Sequence, residues 1–161
     1  MDVTECPLRE KTSANLPGAA MHGAEIVGVS IDEAPIRIVE AINSFIAEPP
    51  KKKWFQRIDN WQERAVPIGA LWGTQMQRQF GWEWINMIQH DHDDLNVVAM
   101  FDKERTVGIY PFHYVFGCIE NKVYPTVLLA FNMLVARKIP KFDPGSYENL
   151  MDGVQHIVPP R

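Results

Sequence analysis

Residues 90–94 are the densest cluster of side chains that could do chemistry. His90, Asp91, His92, Asp93 and Asp94 place two imidazoles and three carboxylates in five consecutive positions. Both groups bind divalent metal ions, and either can act as a general base. A closed metal site needs more than His-x-His, and the chain has no Cys-x-x-Cys or His-x-x-x-His pair to complete one. The pattern therefore favours a solvated hairpin loop, and we predict neither a bound metal nor another cofactor.

Catalysis remains the alternative hypothesis for this loop. A metal-dependent enzyme would use His90, His92 and Asp94 as ligands, with Glu83 or His113 as the base. A thiol enzyme would pair Cys118 with His113, but five residues along one helix turn the two side chains to poorly aligned faces. The chain also lacks a phosphate-binding glycine loop, a Gly-x-Ser-x-Gly elbow and a His-Glu-x-x-His helix. We therefore expect no catalytic residues.

Trp82 and Trp84 are the other candidates for a site. They alternate with Glu83, so they share one face of a predicted strand with Asn86. That face is either packed under helices or partly open as an aromatic groove, and the usual burial of tryptophan favours packing. An open face would instead give a module that binds a small ligand between Trp82 and Trp84.

Three short runs rich in β-branched and aromatic residues surround these candidates. They cover residues 82–89, 95–101 and 106–110, and the charged segments 90–94 and 102–105 separate them. Strands joined by polar turns of this length form antiparallel meanders. The sequence therefore predicts an antiparallel sheet with the 90–94 loop at one end.

Two helices are predicted before this sheet. The first begins at Ser30 or Asp32, either of which can cap it, and ends at the Pro49–Pro50 pair. A basic connector over residues 51–57, which contains Trp54 and Phe55, reads as a solvated loop.

The second helix begins at Asp59 or Asn60 and ends at Gly81. Ile68, Trp72, Met76 and Phe80 recur every four residues along it, while Gly69 and Gly73 form an adjoining narrow face. Another backbone can approach such a face closely, so we expect this helix to lie nearest the sheet or the first helix.

The two ends of the chain carry weaker signals. Residues 1–24 lack apolar periodicity and predict a mobile arm, which leaves residues 25–161 as a single domain. Residues 112–119 fit a helix or a fourth strand, and we favour the helix. Residues 126–138 are apolar nearly all round and predict a buried central helix, whereas residues 140–161 should wrap the surface, with a short helix at 146–152.

The predicted fold class follows from this order of elements. We expect an α+β domain with two N-terminal helices, a three- or four-stranded antiparallel sheet, and C-terminal helices packed on one face. The length of 161 residues and the 46% of hydrophobic residues suit one core of this kind.

Charge and composition narrow the function classes. A formal charge of −4 repels a phosphate backbone, so nucleic acid is not an expected partner, and a basic protein suits the chain better. The longest apolar run is far shorter than the ~20 residues that span a bilayer, so no membrane role is expected. No secretory signal is visible, and the two cysteines, Cys6 and Cys118, suggest no disulfide framework, so we expect a cytoplasmic protein.

Three segments between residues 67 and 140 share a recognisable pattern. They read LWGTQMQRQFGWEWINMIQ, then IYPFHYVF, then LLAFNMLVARKIP. Together they resemble an uncharacterised family of small bacterial α+β domains of unknown function. The resemblance implies the order of helices and strands and no active site. By analogy with small bacterial proteins of this size and charge, it also implies a role as the immunity partner of a toxin.

These observations favour a non-catalytic protein-binding domain. The expected partner is a toxin or enzyme that the domain neutralises or regulates, and a homodimer is a further possibility. The expected contact surface is acidic and aromatic, because carboxylates steer a basic partner while tryptophans provide desolvated contacts. Its predicted residues are Trp82, Trp84, His90, Asp91, His92, Asp93 and Asp94.

Overall fold

The structure is a computed structural model that describes residues 1–48 and 61–155. Its helices are α1 (Glu10–Val27), α2 (Pro35–Ala47), α3 (Trp61–Phe80), α4 (Pro111–Asn121), α5 (Val127–Val135) and α6 (Leu150–Gln155). Its strands are β1 (Val3–Cys6), β2 (Glu83–Gln89), β3 (Leu95–Phe101), β4 (Val107–Ile109) and β5 (Glu148–Asn149). The described residues thus form the mixed α+β fold that the sequence predicts.

The strands form one sheet in the order β1-β2-β3-β4-β5. The predicted meander is confirmed as β2, β3 and β4, with Glu83 opposite Phe101 and Gln89 opposite Leu95. The sheet is larger than predicted, because β1 pairs antiparallel with β2 and β5 pairs parallel with β4. It therefore has five strands and is mixed, where three or four antiparallel strands were expected.

Residues 1–24 differ most from the prediction, since they hold β1 and most of α1 instead of lacking regular structure. Strand β1 joins the edge of β2 through backbone hydrogen bonds, and this pairing does not require an alternation of apolar side chains. Helix α1 contains Pro17, and its buried residues are the small Ala20, Gly23 and Ala24. Neither element shows the apolar periodicity on which a sequence-based prediction relies.

Helix α2 is confirmed and begins at Pro35, a few residues after its predicted cap. Ser30 and Glu33 still interact, because the Ser30 amide donates to the Glu33 carboxylate at 3.2 Å. Their hydrogen bond closes the turn that precedes the helix. The Pro49–Pro50 stop, the basic connector and the caps at Asp59 and Asn60 lie outside the described residues.

As predicted, α3 lies very close to the sheet, and it also lies close to neighbouring helices. A Cβ on Gly73 would overlap the Trp84 ring and lie 2.8 Å from the Met100 sulfur, so the sheet approaches the helix there. On the adjoining turn, a Cβ on Gly69 would lie 2.7 Å from the Phe112 ring at the start of α4. Gly23 of α1 is equally close to the backbone of Pro67 in α3.

The segment after β4 is a helix, as favoured by the sequence. Helix α5 differs from the prediction, because it buries Val127, Ala130 and Phe131 but leaves Leu129 and Val135 exposed. One face of α5 therefore packs on the core and the other is exposed to solvent, so α5 is not a central helix. The predicted short helix near the C-terminal end is present as α6, which β5 precedes. No helix among the described residues is both long and apolar enough to cross a membrane.

The two faces of the sheet carry separate apolar clusters. The helices cover the face that contains Trp84 and Met100, where the main core lies. The opposite face carries a small cluster of Ile85, Met87, Val97, Ala99 and Phe101. Side chains from the ends of the chain and from after β4 pack on this second cluster; they are Val3, Tyr110 and Tyr147.

Arg105 joins three parts of the second face. Its guanidinium donates to both carboxylate oxygens of Glu5 at 2.8 Å and to Glu83 at 3.0 Å. These ion pairs lower the pKa of Glu5 and raise that of Arg105. The backbone carbonyl of Arg105 also accepts from the Tyr147 amide at 2.9 Å. One residue thereby links β1, β2 and the β3–β4 loop to the segment before β5.

We predict that Gly73→Ala destabilises the fold by about 1–3 kcal/mol, because the added methyl must displace the half-buried Trp84 ring. Urea unfolding gives the free energy. Gly18→Ala is the matched control, since a Cβ at Gly18 in α1 meets nothing within 4 Å. The control should be neutral or stabilising by up to about 1 kcal/mol. Equal effects of the two substitutions would contradict the close approach of α3 to the sheet.

Candidate functional site

The predicted site loop is an exposed turn at the end of β2. His90–His92 form one turn of 3-10 helix, and Asp93 and Asp94 follow with φ angles of 53° and 57°. Aspartate is among the residues that adopt this left-handed conformation most readily. All five residues of the loop are exposed.

His90 attaches this loop to the N-terminal segment of the chain. Its Nδ1 lies 2.6 Å from the Asp94 carboxylate, and its Nε2 lies 2.8 Å from the Thr4 hydroxyl. The His90 amide donates to the Asp2 carbonyl at 2.9 Å, while the Asp2 amide donates to the Asp91 carboxylate at 2.8 Å. Part of the predicted binding loop therefore holds β1 against β2.

The same contacts change the titration of His90. The hydrogen bond to Asp94 is the main cause that raises the His90 pKa above the ordinary 6.5, and the charges of Asp2, Asp94 and Asp91 add to it. The imidazolium is thus stabilised by the loop that it anchors.

The two tryptophans do not share a surface with this loop. Trp82 is 5% exposed and belongs to the main core, and Trp84 is half-buried, with its ring stacked on Phe112 at 5.6 Å. Both stand at the start of β2, and the seven residues of that strand place the loop on the order of 20 Å away. The packed interpretation of their face is confirmed.

The metal-dependent alternative has no assembled ligand set. No group of three or more His, Cys, Asp or Glu side chains within residues 1–48 and 61–155 could hold a metal ion. Glu83, one proposed base, lies at the other end of β2 and binds Arg105. His90 and Asp94 bind each other.

A cleft of about 460 Å³ lies beside the loop, between strand residues of the second face, such as Gln89 and Val97, and residues of α4 and α6. The loop contributes His92 to the lining, and α4 contributes His113 and Cys118. The lining also contains Met1, Gln89, Leu95, Val97, Tyr110, Tyr114, Gly117, Asn121, Val123, Asn149, Met151, Asp152 and Gln155.

Gln89 and Tyr110 form a polar pair in this cleft. Gln89 is 8% exposed, and its Nε2 donates to the Tyr110 hydroxyl at 3.1 Å. That hydroxyl lies 3.9 Å from the Met1 sulfur and 3.8 Å from the Met87 sulfur. Burial raises the Tyr110 pKa, so the phenol keeps its proton. The sequence analysis missed this pair, although strand alternation places both residues on the second face.

Cys118 is not an activated nucleophile. Burial is the largest cause that raises its pKa, so the thiol form is favoured over the thiolate that attacks substrates. The neighbouring Tyr114 is also protonated, because burial raises its pKa to about 12. Its hydroxyl accepts from the Thr126 amide at 2.9 Å, which connects α4 to the start of α5.

Comparison of the chain with models of protein families, with curated proteins and with solved structures finds no match. The resemblance to small bacterial domains therefore stays a prediction, and the site must be interpreted from its own geometry.

We predict that Cys118 reacts slowly with a disulfide reagent in the native protein, because the residue is 4% exposed and the pKa of its thiol is raised. Cys6 is half-exposed and should react first. Absorbance of the released thiolate measures the rates, and Cys6→Ser should remove the fast phase. A fast phase that persists in Cys6→Ser would revive the thiol-enzyme hypothesis.

We predict that His90 titrates above 6.5 and that Asp94→Asn lowers its pKa. Because the folded pKa exceeds the unfolded one, the contact contributes its full stability below 6.5 and loses it as the pH rises through the folded value. NMR of the imidazole protons measures the pKa, and urea unfolding at about pH 5.5 and 8.5 measures the stability. The stability difference between wild type and Asp94→Asn should shrink at the higher pH; a constant difference would contradict the contact.

Proposed function

We propose that the protein is a non-catalytic binding domain that recognises a basic protein partner at one corner of the sheet. This acidic corner consists of Asp2, Asp91, Asp93 and Asp94, together with the exposed side chains of Met1 and Leu95. The observation that carries the proposal is the position of this corner beside the cleft. Met1 and Leu95 belong to the acidic corner and also line the cleft, and His92, which lies between Asp91 and Asp93, lines the cleft as well. Charge and a concave surface are thus available to one partner.

The carboxylates at this corner are not equivalent. Asp91 holds the Asp2 amide and Asp94 holds His90, so both have a structural task. The Asp93 carboxylate has no hydrogen-bond or ion-pair partner in the part of the chain that the structure describes. Its exposed charge can therefore interact with a partner, and the formal charge of −4 adds long-range attraction for basic proteins.

Exposed apolar side chains complement these charges. Met1 is 60% exposed and Leu95 is 47% exposed, and both border the cleft. Apolar contact that becomes desolvated provides most of the affinity at interfaces, whereas rim charges mainly set the association rate and the specificity. These residues and Tyr110 take the place that the sequence analysis gave to Trp82 and Trp84.

The arrangement supports binding more than catalysis. The one cysteine in the cleft has a raised pKa, and His90 is occupied by Asp94 and Thr4. Neutralisation of a toxin or regulation of an enzyme is one use of such a surface and stays a prediction, as does a homodimer.

We predict that Asp93→Asn weakens partner binding roughly two- to fivefold at low salt, as expected for one exposed charge at an interface. Asparagine also tolerates the left-handed backbone of this position. The partner is first recovered on immobilised protein from the native lysate, identified by mass spectrometry and purified, and the Kd is then measured by calorimetry.

Asp32→Asn is the matched control, because it removes the same charge from an exposed position in the α1–α2 connection. It should leave the Kd unchanged. Equal affinities of Asp93→Asn and wild type at low salt would contradict the proposed surface, and recovery of the chain alone would contradict protein binding.

A further inference from the structure

The cleft beside the acidic corner offers acceptors, one negative charge and apolar walls to a single inserted group. We propose that it receives the guanidinium group of an arginine side chain from the partner. This inference rests on the proposed function, because the acidic corner brings the basic partner to the cleft. The lining residues that carry it are Gln89, Tyr110, Asp152, Leu95, Val97 and Met151.

Asp152 provides the counter-charge. It is the one Asp or Glu among the lining residues, and none of them is a lysine or arginine. Asp152 is exposed in α6, and its carboxylate accepts no hydrogen bond from the residues that the structure describes. A carboxylate that accepts no hydrogen bond from residues 1–48 and 61–155 can pair with a guanidinium in the two-bond geometry that arginine favours.

Gln89 provides an acceptor in the same cleft. Its Nε2 donates to the Tyr110 hydroxyl, and its Oε1 accepts no hydrogen bond within the described ranges. The residue is 8% exposed, and Oε1 is not among the described buried polar atoms that lack a partner, so this oxygen is open to a donor that enters the cleft. The N–H groups of a guanidinium would donate to it.

The walls suit the rest of an arginine side chain. Leu95, Val97 and Met151 present aliphatic and thioether surface on which three methylene groups can pack. Tyr110 adds an aromatic ring, to whose face a guanidinium is attracted more effectively than a neutral group of the same shape. The volume of about 460 Å³ is within the range of sites that enclose small groups.

The test uses two tripeptides that differ only in charge. Acetyl-Gly-Arg-Gly-amide is the probe, and the same peptide with citrulline in place of arginine is its neutral match. Each is titrated into the full chain at about pH 8, where imidazole is ordinarily neutral, while NMR follows the methyl signals of Leu95, Val97 and Met151. We expect saturable shifts with the arginine peptide and at least a fivefold weaker response with the citrulline peptide.

Variants separate the site from a general effect of charge. Asp152→Asn should weaken binding of the arginine peptide at least fivefold, whereas Asp32→Asn should not change it. Equal binding of the citrulline peptide, unchanged affinity of Asp152→Asn or the absence of any shift would each overturn the arginine site. If Asp93→Asn still weakens the natural partner in that case, the proposed function stands and only the inserted arginine is wrong.

Discussion

The close packing of α3 is the constraint on which the rest of the structure depends. Gly23, Gly69 and Gly73 mark three places where α1, α4 and the sheet come so near to α3 that a methyl group would not fit. The contact at Gly69 fixes the start of α4 at Pro111 and Phe112, and Phe112 in turn stacks on Trp84. The wall that α4 gives to the cleft is therefore set by the contact between α4 and α3.

Arg105 has a comparable role on the second face. Its guanidinium binds the carboxylates of Glu5 and Glu83, which come from different positions along the neighbouring strands β1 and β2. By holding Glu5, Arg105 keeps β1 on the sheet, and β1 carries Met1 and Asp2 to the acidic corner. The hydrogen bonds of His90 to Asp94 and Thr4 secure the other end of the same strand. The candidate surface thus depends on an edge strand that is attached at both ends by charged side chains.

Periodic elements could be predicted from the sequence, and the site largely could not. Apolar residues at every second position predict the strands of the meander, and apolar residues at every fourth position predict α3. Gly69 and Gly73 predict the close approach of another element to α3. Strand β1 cannot be predicted from apolar spacing because its pairing uses backbone groups. The apolar Leu129 and Val135 predict a central position for α5, but both side chains are exposed. The cleft combines positions as distant as Met1, Gln89 and Asp152, which no local pattern connects.

The face of each strand residue explains why the predicted surface divides into two parts. Trp84 and Gln89 are five positions apart on β2, so alternation turns them to opposite faces as well as placing them at opposite ends. Trp82 and Trp84 pack under the helices, where the burial of their apolar surface stabilises the fold. The second face has a smaller apolar cluster and polar residues at its end, so a surface for binding can exist there without removing side chains from the main core. Packing of the main core and the proposed recognition therefore use different faces of the same strand.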